Sequence, residues 1–332
     1  MNIPRPLAIT LWPLSRAYGR CVSFRKSLYA KGLLKPKRLK ATVISVGNLT
    51  VGGTGKTPMV LWLAEKFLAE GKKVAILTRG YKGSGGTSDE VELLRYRLRD
   101  RVKFGVGPNR YESGRRLESQ HEIDVFLLDD GFQHLQLARD LDIVMLDGSR
   151  KLKDEWLLPA GLLREPIAAC RRADILVVSR KFERPPVEAS DAHAFSIFYS
   201  QTRLLGFRRL ESEDEPRYLS ETGQGPFFAF CGIGNAEAFF ADLARWHVPV
   251  VQKKAFADHH KYSARDVQQL QRAAETSKAA AFVTTEKDVA NLPARAFRMT
   301  VWVAAIDLVF PAESELTAAI DRILQTRRGV AA

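Results

Sequence analysis

The chain has 332 residues, 45% hydrophobic and 27% charged, which is ample for a large buried core and excludes a disordered or collagenous chain. Cys21, Cys170 and Cys231 are odd in number and lack metal-ligand spacing, so a disulfide scaffold is excluded and a reduced, cytosolic compartment is expected. The formal net charge of +13 is local: eleven of the 51 basic residues and none of the 38 acids lie in residues 1–64, so the near-neutral remainder argues against a nucleic-acid partner. No apolar run reaches the ~18–20 residues of a membrane span, and the stretch 7–14, broken by Pro13, does not read as a signal peptide.

In chain order, residues 1–38 form a basic arm. Leu14, Ala17, Tyr18, Cys21, Val22, Leu28 and Tyr29 share one face at helical period, with Pro13 suited to the first turn and Gly32 to the stop. Such a helix either packs on the protein or lies in the plane of a membrane. In the second case Trp12, Tyr18 and Phe24 would sit at the interface and the cations at anionic headgroups. A β-branched strand at 41–46, a glycine-rich turn at 47–55 and a helix at 56–70 follow. Continuous apolar strands are expected at 74–77, 102–106, 123–128, 143–146 and 175–178, with a helix at 109–120. Unbroken apolar strands alternating with helices predict a P-loop NTPase-like, doubly wound, mostly parallel α/β sheet over 39–193. A proline- and acid-rich stretch (182–192) opens a composition shift. The reading is a two-stranded linker over 194–225 (strands at 195–199 and 204–210), then a smaller α/β domain over 226–332. Its expected strands are 227–231, 248–251, 280–283 and 300–304, and its helices 236–246 and 264–277.

The strongest motif is Gly52-Gly53-Thr54-Gly55-Lys56-Thr57 between a strand and a helix. Glycines let backbone N–H groups turn toward phosphate oxygens, the helix N-terminus adds positive potential, and Lys56 reaches the β- and γ-phosphates. Thr50, Val51, Gly52, Gly53, Thr54, Gly55, Lys56 and Thr57 are the expected nucleotide-binding set, with Thr50 standing where the general pattern has its first glycine. Such a loop needs a carboxylate to hold Mg²⁺. Asp129 and Asp130, at the end of a buried strand, supply it together with the Thr57 hydroxyl. Adjacent side chains diverge, so one can bind the metal while the other orients a neighbour. Asp147 at the next strand end is a weaker competitor. Thr285-Glu286-Lys287-Asp288 only superficially resembles a guanine-reading motif, which favours ATP over GTP.

These motifs, with Thr78-Arg-Gly-Tyr81, Asp129-Asp-Gly-Phe-Gln-His134, Pro159-Ala-Gly-Leu-Leu-Arg-Glu-Pro166, Gly232-Ile-Gly-Asn235, Asp258-His259 and Thr285-Glu-Lys-Asp288, resemble in order the tetraacyldisaccharide 4′-kinase family over residues 40–290. The resemblance implies ATP and Mg²⁺. It implies transfer of the γ-phosphate to the 4′-hydroxyl of a tetraacylated glucosamine disaccharide 1-phosphate, giving lipid IVA in lipid A biosynthesis. The place it implies is the cytoplasmic face of the Gram-negative inner membrane, held peripherally through the N-terminal helix, with no obligate protein partner expected. It further implies Asp89 as the base, with His259 as its partner from the second domain across the interdomain cleft. Arg164 and Glu165 become active-site residues, and Arg79 a phosphate-steadying or lid residue. The family's Gly-Asp-Glu reads Ser88-Asp89-Glu90 here, so Glu90 remains an alternative base and His260 an alternative partner. A P-loop kinase or NTPase acting on a soluble metabolite is the competing function.

Overall fold

In a computed structural model, the chain is described over residues 5–80, 88–149, 152, 155–179, 195–210, 212, 216–218, 225–293 and 296–331. Tyr81 and the glycine-rich stretch through Gly86, and the proline- and acid-rich 182–192, lie outside the described residues.

The chain divides into two compact units: residues 1–80, 98–201 and 308–332 form the first, and 81–97 with 202–307 the second. The first is built on seven strands: β1 (Thr42–Asn48), β2 (Val74–Thr78), β3 (Lys103–Val106), β4 (Val125–Asp129), β5 (Leu141–Asp147), β6 (Ile175–Ser179) and the start of β7 (Ser196–Arg209). Their order is β3-β2-β4-β1-β5-β6-β7, all parallel. Every residue of β1, β2, β4, β5 and β6 is buried, as their unbroken apolar character requires. Among the described residues, four helices belong to this unit: α1 (Arg5–Ala30), α2 (Lys56–Ala69), α4 (Arg110–Gln120) and α7 (Glu313–Ala331). The remaining helix of the first half, α3 (Asp89–Leu98), belongs to the second unit apart from its last residue.

Two close approaches set the corner where β1 and β4 end. Gly47 leaves no room for a Cβ, which would collide with the Cβ and backbone N of Phe132, so the loop after β4 crosses directly over β1. Gly55, with φ 88°, makes the left-handed turn that starts α2.

The second unit contains the rest of β7, then β11 (Val301–Val309), β10 (Ala281–Thr285), β8 (Phe227–Cys231) and β9 (Val250–Ala255), with β11-β10-β8-β9 parallel. Helices α5 (Ala236–Arg245) and α6 (Ala264–Thr276) complete it. Phe228, Phe230, Phe282 and Phe297 pack edge-to-face and stacked as its aromatic core.

Several expectations change. The two linker strands at 195–199 and 204–210 are one continuous strand, β7, because polar residues 200–203 stay extended. The two strands that do pass between the units are β7 and β11. α3 and α7 were not expected. The first carries Asp89, Glu90 and Glu92 in its first turn and Arg95 and Arg97 in its last, a charge order that favours a helix and was legible. Because α3 joins the second unit and α7 the first, the boundaries 39–193 and 226–332 do not describe compact units. α7 binds the first unit through Glu313 to the Trp62 indole and Asp321 to Lys66, while Phe310 just before it packs on the Trp62 ring. α1 begins at Arg5, so Pro13 lies inside the helix rather than in its first turn. Proline there deprives the Ile9 carbonyl of its bond, a cost lessened by the exposure of Ile9.

Candidate functional site

The first unit gathers the phosphate loop and the acidic pair. Thr50 pairs with Leu163 in an antiparallel bridge, flanked by Val51 N–H donating to Leu162 O (2.9 Å) and Arg164 N–H to Leu49 O (2.7 Å). The loop is thus zipped to the segment 157–165. Inside it, Asn48 Nδ2 donates to Thr54 Oγ1 (3.0 Å), and Gln133 Nε2 to Asn48 O (2.9 Å). Thr50, Thr54 and Thr57 are all buried. The zip explains how Thr50 can replace a glycine: its backbone is extended and bridged, a conformation any residue adopts.

Asp129 is buried at the last position of β4, in register with Val46. Asp130 follows in the left-handed region (φ 51°). Its carboxylate takes both bonds from Arg164 NH1 (2.9 and 2.7 Å) and lies 3.6 Å from Lys56 Nζ. Burial works against its charge, but Lys56 and Arg164 beside it hold the carboxyl below its usual range. Asp130 is thus paired with two cations, while Asp129 lies buried beside it at the end of β4.

Arg110, at the start of α4, and His134 complete this corner and were missed as site residues. Arg110 is buried and its Nε has no hydrogen-bond partner among the described residues. Its NH1 lies 3.5 Å from His134 Nδ1. Burial and the surrounding guanidinium groups push His134 down to about 4, so the ring is neutral at pH 7. A guanidinium can only donate, which assigns the proton to Nε2.

Glu165 behaves differently from its neighbour Arg164. It is buried and held by Arg172 (2.7 and 3.2 Å) and by Lys26 of α1 (3.0 Å). α1 is pinned further by Ser15 Oγ donating to Leu157 O (2.7 Å) and Tyr18 OH to Arg164 O (2.9 Å). Gly19 closes on Leu157 so tightly that a Cβ would crowd its side chain. The helix thus docks through small and polar residues. Leu7, Ile9, Trp12, Leu14 and Phe24 are left exposed, each at 48% or more.

The second unit brings Asp89 and His259 together, so they do not come from different domains as expected. His259 Nδ1 lies 3.0 and 2.9 Å from the two Asp89 oxygens. His259 has φ 57°, a left-handed backbone uncommon for a non-glycine residue. The Asp89 side chain is almost fully buried, whereas the histidine is half exposed. His260, the alternative, is instead stacked on Phe256 and bonded to Asp266 (3.2 Å). Glu90, the alternative base, pairs with Lys287 (3.2 Å). Asp89, Glu90 and His259 bring ligand-type atoms within 4.8 Å of one another, yet the Lys287 ammonium on Glu90 already supplies the cation there.

Burial raises the Asp89 carboxyl above its ordinary range, partly offset by the bond to His259. The bond from Asp89 raises the imidazole from 6.5 to about 9, with burial opposing. The imidazole is therefore protonated at neutral pH. A group with a raised folded-state value stabilises the fold below its unfolded value and loses that contribution as pH climbs through the folded one. In an NMR titration, His259 is expected to titrate near 9, and in Asp89→Asn to fall back toward 6.5. A wild-type value near 6.5 would show the ion pair to be absent in solution.

The chain is similar throughout to one family. The model described as tetraacyldisaccharide-1-P 4′-kinase matches residues 7–325. A tetraacyldisaccharide 4′-kinase of Geobacter metallireducens is 37% identical over 331 residues, covering 94% of this chain and 96% of the relative. One from Geobacter sulfurreducens is 38% identical over 325 residues, covering 92% and 91%. Among solved structures, the "apo" form of LpxK from Aquifex aeolicus in complex with ATP superposes with a TM-score of 0.75 at 32% identity, over 96% of this chain and 99% of that one.

Proposed function

The chain belongs to the tetraacyldisaccharide-1-phosphate 4′-kinase family, and from that premise we propose that it transfers the γ-phosphate of ATP to the 4′-hydroxyl of a tetraacylated glucosamine disaccharide 1-phosphate, giving lipid IVA. The observation that carries the reading is the corner where Lys56, at the start of α2, meets Asp130 at the end of β4, beside a glycine loop opening a helix. That is the arrangement a triphosphate and its counter-ion require. Thr57 and Asp129 offer hard oxygen donors that fit Mg²⁺. When bound, the ion would offset charge on the β- and γ-phosphates.

The other roles follow from the chemistry of each side chain. Backbone N–H groups of 52–57 and Lys56 hold phosphate oxygens. Arg164 fixes Asp130 so that its charge faces Lys56. Arg110 Nε and His134 Nε2–H are buried donors without a partner among the described residues, the chemistry that would suit a phosphate oxygen. Asp89 takes the proton of the attacking hydroxyl, and the His259 imidazolium holds the carboxylate in place. Glu165 acts at one remove, tying α1 to the segment that zips the phosphate loop.

Among the described residues no helix is long and apolar enough to cross a membrane. The exposed Leu7, Ile9, Trp12, Leu14 and Phe24 beside Arg16, Arg20 and Arg25 instead support α1 lying in an anionic membrane surface, on the cytoplasmic side where ATP is supplied. This favours a lipid acceptor over a soluble metabolite. Purified protein with labelled ATP should phosphorylate a detergent-dispersed acylated disaccharide 1-phosphate and ignore its deacylated form. Deleting residues 1–36 should abolish co-sedimentation with vesicles containing an anionic lipid. Equal turnover of soluble sugars would overturn the acceptor, and unchanged vesicle binding would overturn the role of α1.

A further inference from the structure

All four side chains of Thr285–Asp288 are engaged within the protein. The segment starts at the last residue of β10, and its side chains reach α3, β11, the turn at Gly232 and Tyr262. Glu286 is buried and accepts from Arg97 NH1 on α3 (3.1 and 3.2 Å) and from Ile306 N–H of β11 (3.2 Å). Lys287 Nζ donates to Glu90 Oε1, also on α3 (3.2 Å). The Glu286–Arg97 contact holds the far end of α3 and the Lys287–Glu90 contact holds its first turn, where Asp89 sits.

Asp288 works on the histidine side. Buried at 2% exposure, it accepts from Gly232 N–H (2.7 Å), Tyr262 OH (2.7 Å), Thr284 Oγ1 (3.2 Å) and Thr285 Oγ1 (2.6 Å). The carbonyl of that same Gly232 accepts from His259 N–H (2.9 Å). Gly232 is tightly enclosed, and a Cβ there would sit 3.0 Å from His260 Cβ, 3.1 Å from Ala257 O and 3.2 Å from the Tyr262 hydroxyl. One buried carboxylate thus fixes the turn that presents His259 in its left-handed conformation.

We propose that Thr285–Asp288 is the positioning element of the Asp89–His259 pair, with Lys287 acting through Glu90 on the carboxylate and Asp288 acting through Gly232 on the imidazole. The proposal rests on the reading of Asp89 as the proton acceptor. Lys287 has an electrostatic share in this as well as a steric one. The charged groups that face Asp89 are Glu90, His259 and Lys287, with Asp258 at 3.8 Å from the imidazole. Glu90 repels the Asp89 charge, and Lys287 cancels that repulsion. Without Lys287, Asp89 should hold its proton to higher pH.

The test is the pH dependence of kcat in the full-length enzyme, assayed with ATP and the acylated acceptor. Lys287→Met should move the acid limb up by about half to one pH unit and lower kcat at pH 7 roughly tenfold, with KM for ATP unchanged. Lys287→Arg keeps the charge and should restore the limb. Glu90→Gln should move the limb the other way, and it serves as the test if Lys287→Met folds poorly. A merely structural lysine would lower Tm and leave the limb in place. That result, or a Glu90→Gln limb unmoved from wild type, overturns the proposal. Asp89→Asn run in parallel separates the two readings: an active Asp89→Asn removes the base itself, whereas an inactive one with an unmoved Lys287→Met limb removes only the positioning role.

Discussion

Asp89→Asn is expected to lower kcat by about 10²–10⁴-fold, the range that a positioned proton acceptor contributes, while ATP affinity stays near wild type. Asparagine keeps the shape of the side chain and can still accept a bond from His259, but it cannot take up a proton. The nucleotide loop belongs to the first unit and Asp89 to the second, so the substitution leaves the phosphate cradle intact. Stability should change little at pH 7, because burial already penalises this carboxylate and its partner is half exposed. Single-turnover transfer with a nucleotide-binding titration gives both numbers. A kcat within threefold of wild type would remove Asp89 from the reaction and leave Glu90, paired with Lys287, and Asp258 as the other carboxylates near the His259 imidazole.

Lys56→Met should be as severe by a different route, costing about 10²–10³-fold in kcat together with weakened ATP binding. Lys56 opens α2, where helix-end N–H groups and its own ammonium converge on one point. Methionine retains the aliphatic stem and so isolates the charge. The loss has a second component. Asp130 would keep Arg164 and Arg110 as its counter-charges but lose Lys56, and its carboxyl should move back toward the ordinary range. Lys56→Arg is not a rescue, since a planar guanidinium cannot occupy the place of a compact ammonium in a tight backbone loop. Unaltered ATP affinity combined with a loss of less than tenfold would show that Lys56 does not touch the transferred phosphate. The contrast between the variants is diagnostic: one affects turnover alone, the other turnover and nucleotide affinity together.

The position of α1 bears on the acceptor. Its docking contacts are Ser15, Tyr18, Gly19 and Lys26, and two of these end on the segment carrying Arg164 and Glu165. A helix that used its apolar residues for docking would have none to offer a lipid. This one uses hydrogen bonds and an ion pair to the buried Glu165, and leaves Leu7, Ile9, Trp12, Leu14 and Phe24 exposed.

The sequence alone determined the features that are local in the chain. The strand–glycine loop–helix at 42–69, the acidic pair ending β4, and the parallel α/β character all follow from periodicity and glycine placement within a dozen residues. Tertiary structure decided what depends on partners far along the chain. His259 meets Asp89 across 170 positions, Lys287 meets Glu90 across 197, and Lys26 reaches Glu165. None of these pairings leaves a local pattern, because a carboxylate has the same sequence signature whether it meets a cation, a metal or water. Which unit owns α3, which face of α1 is covered, and which of two adjacent histidines meets Asp89 were therefore settled only when packing brought those side chains into reach.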